Sequence, residues 1–113
     1  MSDVAVRQIH LDPGGIRVVP DLDPTANYDA VDRAANRVRW DGATHSLRMI
    51  PRDDGSARTS LEAFQQILAA VASEYGDRLV LTPTTTFHFV TSEDRGAIIA
   101  WHDSPNRGDI VLG

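Results

Sequence analysis

The chain contains no cysteine. Thiol catalysis, disulfides, zinc–thiolate sites and iron–sulfur clusters are thereby excluded. Small secreted domains often need disulfide staples, so their absence from a chain of 113 residues points to the cytoplasm. Lysine is missing too: all 11 basic residues are arginine. A Walker-A phosphate loop and a Schiff-base enzyme both require a lysine amine, so neither fits. Arginine keeps its proton at working pH, which leaves histidine as the only basic side chain able to act as a general base. Long apolar runs are also absent. The longest, residues 67–72, falls far short of the roughly 20 residues a membrane span needs, so no membrane partner is expected. The first ten residues are interrupted by Asp3, Arg7 and Gln8 and lack the apolar stretch of a secretory signal. No GxGxxG, GxSxG or HExxH pattern occurs, and no internal repeat. No cofactor is expected.

What is present suits one domain spanning residues 1–113. Hydrophobic residues make up 42% of the chain, enough for one core at this length. The net charge is −5. Residues 4–11 and 16–19 read as a hairpin about Asp12-Pro13-Gly14-Gly15, where proline and glycine supply turn conformations. Tyr28, Val31, Ala35 and Val38 recur at helical spacing and predict a first helix. Asp41-Gly42 then signals a second hairpin. It places Val38, Trp40, Ala43, His45, Leu47 and Met49 on one face, and Arg37, Arg39, Thr44, Ser46 and Arg48 on the other. A polar loop follows over residues 51–58.

Thr59 with Glu62 forms a capping box. Leu61, Phe64, Leu68, Val71 and Tyr75 make one apolar stripe, widened by Ile67 and Ala72, and Gly76 stops the helix at residue 75. Residues 79–81 read as a short or edge strand interrupted by Pro83. Residues 84–91 and 97–102 read as a third hairpin about Glu93-Asp94-Arg95-Gly96. Its core face would carry Phe87, Phe89, Ala97, Ile99 and Trp101. Residues 109–112 add a last short strand. The expected fold is α+β: an antiparallel sheet of about five to seven strands, built from successive hairpins, packed against two helices, the longer at residues 60–75.

Charge is unevenly spread. Residues 1–32 sum to −4, residues 33–58 to +3, and residues 59–113 to −4. Arg37, Arg39 and Arg48 on one hairpin face form a candidate site for an anion or nucleic acid, since guanidinium forks grip carboxylate and phosphate. Overall acidity, and the lack of exposed aromatics among these arginines, argue against nucleic acid. In the third hairpin His88 and His102 would be near-diagonal neighbours, with Asp103 beside them. That trio is a candidate metal or acid–base site for a small hydrolase. His45 falls on an apolar face and reads as a hydrogen-bonded core histidine, while His10 carries no specific signal. Asp21, Asp23, Asp29 and Asp32 form an acidic connector. They lack the glycine and glutamate of a calcium loop, and they are candidates for steering a basic partner. Arg107-Gly108-Asp109 spells an adhesion tripeptide but reads better as a turn.

The leading expectation is a small cytoplasmic protein-binding module, such as an inhibitor, an immunity-type neutraliser or an accessory subunit, that acts through its surface rather than by catalysis. A sheet edge offers a route to a homodimer. The alternatives are the His88/His102/Asp103 enzyme and the Arg37/Arg39/Arg48 anion or nucleic-acid module.

Overall fold

A computed structural model of the chain describes residues 2–12, 15–50 and 59–104. The turn at residues 13–14, the loop at residues 51–58, the Arg107-Gly108-Asp109 turn and the strand expected at residues 109–112 lie outside the described residues.

The architecture is α+β: a curled, mixed sheet of six strands with two helices. The strands are β1 (Ser2–Asp12), β2 (Gly15–Pro20), β3 (Val38–Asp41), β4 (Ser46–Met49), β5 (Asp77–Val80) and β6 (Thr86–His88). The helices are α1 (Ser60–Tyr75) and α2 (Ser92–His102). The order across the sheet is β3-β4-β2-β1-β5, with β6 also paired to β1. The contacts β1–β2, β2–β4 and β3–β4 are antiparallel, as the hairpins predict, whereas β5 and β6 run parallel to β1.

The long central strand β1 organises this arrangement. Its first half, Ser2 to Ala5, pairs with β5, and its second half, Gln8 to His10, pairs with β6. Between them Arg7 is an extra residue: Val6 faces Pro20 while Gln8 faces Val19, which is a β-bulge. Strands β5 and β6 thus form one edge, broken at Pro83. The break is stitched by Thr85, whose hydroxyl donates to the Val6 carbonyl at 2.6 Å and accepts from the Thr82 amide at 2.9 Å.

One face of the sheet is the core. Ile9, Ile16, Val18, Val38, Leu47 and Met49 are buried there, with Leu79 from the edge. α1 lays Phe64, Ile67, Leu68 and Val71 against it. Each such side chain contributes roughly 1.5–3 kcal/mol before entropy costs. The caps of α1 are those predicted: Thr59 accepts from the Glu62 amide, and Gly76 takes the left-handed conformation at φ 70°. The second hairpin also forms, with Trp40 opposite Leu47 and Val38 opposite Met49, across a four-residue connection. No helix among the described residues is long and apolar enough to cross a membrane.

Two elements differ from the sequence expectation. Tyr28, Val31, Ala35 and Val38 are all buried, yet only Val31–Arg33 is helical, as one 3-10 turn. Local side-chain bonds compete with the helix: Asp23 accepts from the Thr25 amide and Asn27 from the Asp29 amide. Tertiary anchors then fix the connector. The Tyr28 hydroxyl donates to Asp77 at 3.1 Å, and the Ala30 amide donates to the Tyr75 hydroxyl at 2.8 Å. Burial, reinforced by the Asp77 carboxylate, pushes the Tyr28 hydroxyl pKa well above its ordinary value.

The second correction is larger. The hairpin expected at residues 84–91 and 97–102 does not form; residues 92–102 are α2. Thr91 is its N-cap, accepting from the Asp94 amide, and Glu93 and Asp94 sit at the positive end of the helix dipole. Ile98 is buried and Trp101 meets Phe64 edge-on at 5.9 Å. Ala97, Ile99 and Trp101, read as part of a strand face, belong to a helix packed on α1.

Candidate functional site

Strand register builds a feature that no single segment contains. Arg39 lies opposite Arg48 between β3 and β4, and Arg48 opposite Arg17 between β4 and β2. Arg17 lies opposite His10 between β2 and β1, and His10 opposite His88 between β1 and β6. Alternate residues of a strand share a face, so these five side chains form one row on the side of the sheet away from the core. At about 4.8 Å per strand the row spans about 19 Å. His10, Arg17, Arg39 and Arg48 are half-buried, and His88 is exposed.

The two ends of the row differ. At the β3 end, the Arg39 guanidinium folds back onto the Asn36 and Val38 carbonyls. Val38 belongs to an edge strand, and its amide donates to the Ala35 carbonyl at 3.0 Å. Among the described residues Arg39 therefore guards the outer edge of the sheet. Arg37 is one alternate position away from Arg39, and its carbonyl accepts from the Ile50 amide at 2.8 Å. Of the arginine trio read from the sequence, Arg39 and Arg48 are direct cross-strand neighbours.

At the β6 end the row becomes aromatic. The rings of His10 and His88 are 5.8 Å apart and tilted by 32°. His88 Nε2 is 3.0 Å from the Thr86 hydroxyl. His10 Nδ1 is buried with no hydrogen-bond partner. Phe89 meets His10 edge-on at 5.4 Å and 79°. Phe89 is 81% exposed, the one large hydrophobic side chain exposed among the described residues. Its φ is 60°. A bulky residue in this left-handed region is a true outlier, because its Cβ crowds the following carbonyl. The kink also breaks strand alternation, which is why Phe89 points outward. The sequence expectation put Phe87 and Phe89 together on the core face. Phe87 does pack against the core, with Arg95 4.8 Å above its ring.

His102 and Asp103 do not join His88. They sit at the C-terminal end of α2, where His102 Nε2 accepts from the Leu81 amide at 3.0 Å and Nδ1 donates to Asp103 at 2.9 Å. The His102 side chain is 12% exposed. Both ring nitrogens are committed to tying α2 to the end of β5, so this imidazole has no lone pair left for a metal or a substrate proton. Among the described residues no group of three or more histidine and carboxylate side chains is placed to hold a metal ion.

His45 is hydrogen-bonded as its position suggested. Its Nε2 donates to the Ala26 carbonyl at 3.0 Å and its ring meets Trp40 edge-on at 4.8 Å. The acidic connector is partly occupied by local bonds. Asp21 pairs with Arg7 at 3.4 Å, both exposed. The Asp23 carboxylate accepts from the Thr25 amide and hydroxyl, which hold its pKa below the ordinary value. Asp29 and Asp32 are exposed.

Sequence reasoning missed His10, Arg17 and Phe89. The first two were within reach: with Asp12 opposite Gly15, alternation pairs Leu11 with Ile16, and so His10 with Arg17. Phe89 had no comparable signal, since nothing in the sequence marks a phenylalanine for a left-handed conformation. Comparison of the chain with protein-family models, with curated proteins and with solved structures gives no match.

Proposed function

We propose that this chain is a protein-binding module that acts through its surface rather than by catalysis, with Phe89 as the anchor of the binding face. The observation that carries this is the cost of Phe89. Its backbone conformation destabilises the fold by about 1–2 kcal/mol. Its ring recovers little of that by burial, since 81% of the residue faces water. A glycine or asparagine would serve the turn from β6 into α2 at lower cost. An exposed, rigid aromatic side chain is the type of residue that dominates binding energy at protein interfaces. A soluble inhibitor, a neutraliser or an accessory subunit all use such a surface.

The Arg37/Arg39/Arg48 reading is narrowed rather than discarded. Arg48 becomes part of the anchored face through its neighbour Arg17, while Arg39 serves the sheet edge. The hydrolase reading loses the pairing it was built on, because His102 is engaged at the far end of α2.

The test is a comparison of wild type with Phe89→Gly. Proteins retained by the tagged wild-type chain in its native host are identified, and the stoichiometric one is purified. Its affinity for both chains is then measured by calorimetry. Loss of an aromatic anchor weakens binding by roughly 30-fold or more. Equal affinity for the two chains would show that Phe89 is not the anchor.

A further inference from the structure

We infer that His10 and His88 form a two-histidine site for a late first-row transition ion of the zinc and copper class. The inference is independent of the role given to Phe89. The chain has four histidines. His45 commits Nε2 to the Ala26 carbonyl, and His102 commits both ring nitrogens to Leu81 and Asp103. His10 and His88 are the two that face each other, in register between β1 and β6 on the side of the sheet away from the core. Their spacing suits one shared ion. Metal–nitrogen bonds of about 2.0–2.1 Å place each ring centroid about 3.2 Å from the ion. Two rings then lie about 5.2 Å apart at the tetrahedral angle, and about 6.4 Å apart on opposite sides of the ion. The 5.8 Å between the His10 and His88 centroids falls between these limits.

Hydrogen bonding prepares the two rings. The Thr86 hydroxyl donates to the Arg7 carbonyl at 3.5 Å, so toward His88 Nε2, 3.0 Å away, it acts as an acceptor. That fixes the Nε2–H tautomer of His88 and leaves its lone pair on Nδ1. A ligating imidazole held at its other nitrogen by a hydrogen bond is the usual outer-shell arrangement of metal sites. His10 Nδ1 is buried without a hydrogen-bond partner, and buried polar atoms of this kind are uncommon. Coordination supplies the missing partner. His88 is exposed, so its ring can turn to admit an ion beside the His10 ring, while Phe89 packs edge-on against the latter. Imidazole nitrogen selects zinc, copper and nickel over magnesium, calcium and manganese, which prefer oxygen. Arg17, opposite His10 on the β2 side, carries a positive charge that opposes the ion. Two ligands against that charge make an exchangeable site, unlike the closed four-ligand sites of structural zinc. The remaining coordination positions go to water or to a side chain of the partner.

The experiment is a titration of the whole untagged protein with zinc chloride in mildly alkaline buffer, where a neutral imidazole is able to ligate. Proton–nitrogen spectra of the imidazole rings report each histidine separately. Zinc is expected to shift the His10 and His88 ring signals together, to saturate at one ion per chain, and to leave His45 and His102 unchanged. Copper(II) should bind more tightly than zinc, and magnesium should not bind at these rings. His88→Ala, at an exposed position that leaves the core intact, is expected to weaken zinc by about 100-fold. Thr86→Val, which removes only the outer acceptor, is expected to weaken it by about tenfold. Amide spectra show that both variants are folded. Absence of a saturable shift, a shift at one ring alone, or an equal effect of magnesium overturns the inference. So does an unchanged zinc affinity in His88→Ala. An unchanged affinity in Thr86→Val overturns the ligation through Nδ1 of His88.

Discussion

Replacing Phe89 by glycine and by alanine separates the backbone cost of this residue from the value of its ring. Both variants lose the ring and its edge-on contact with His10 at 5.4 Å. Only glycine also escapes the left-handed penalty of φ 60°. That penalty is about 1–2 kcal/mol for a residue with a Cβ. Glycine gives back about 0.4–1 kcal/mol through its greater freedom in the unfolded chain. The glycine variant should therefore be the more stable of the two, by about 1 kcal/mol. At an ordinary position with negative φ the order is the reverse, with glycine lower by about 0.5–1 kcal/mol. Urea denaturation monitored by Trp40 and Trp101 fluorescence reads the difference. With a slope of about 2 kcal/mol per molar, the glycine midpoint should lie about 0.5 M above that of alanine. The edge-on ring pair contributes at most about 0.5–1.5 kcal/mol, less at an exposed site, so Phe89→Gly should also remain close to wild type. Alanine equal to or more stable than glycine would refute the strain, and with it the reason for treating Phe89 as a residue kept for binding.

Other consequences follow from the same geometry. His102→Ala should strand the half-buried Leu81 amide and cost about 1–3 kcal/mol, with faster hydrogen exchange at Leu81. An unchanged midpoint would mean that His102 does not hold α2 to β5. Arg39→Ala should uncover the Val38 carbonyl on the β3 edge and promote concentration-dependent self-association, measured by sedimentation. A chain that stays monomeric at high concentration would show that the edge needs no such guard. The Asp41 carboxylate is held below its ordinary pKa of 3.8 chiefly by the Thr44 hydroxyl, which works against burial, and the Ala43 and Thr44 amides and the Arg17 charge add to the lowering. Its contribution to stability is complete above 3.8 and fades as pH falls through the lowered folded-state value. The melting-temperature gap between wild type and Asp41→Ala should therefore narrow in strong acid; a gap independent of pH would contradict this.

The elements that sequence patterns captured are those in which local signals and burial agree. α1 combines a capping box, an uninterrupted apolar stripe and a terminal glycine, and each device works as expected. The β3–β4 hairpin combines Asp41-Gly42 with alternation, and the faces of Val38, Trp40, Leu47 and Met49 and of Arg39 and Arg48 follow, while Ala43, Thr44 and His45 fall in the connection rather than on a strand face. Where local and tertiary signals compete, the sequence misleads. The connector at residues 21–37 has helical spacing, yet turns made by Asp23 and Asn27 and anchors from Tyr28 and Tyr75 hold it open. In α2 the local signals conflict: Thr91 caps the helix, while Gly96 and the β-branched and aromatic residues suit a hairpin equally well. The candidate site was hidden for a different reason. Its row crosses five strands, so its members become neighbours only once every register is set, and the parallel pairing of β6 with β1 joins residues 78 positions apart. The key aromatic side chain depends on one backbone angle that side-chain patterns do not encode.

The most direct measurement is the affinity of the purified native partner for wild type and for Phe89→Gly, made under conditions where both chains are shown to be folded. A loss of roughly 30-fold or more, in a variant whose stability stays near wild type, is the expected result. Equal affinities would contradict the assignment of this face as the binding surface.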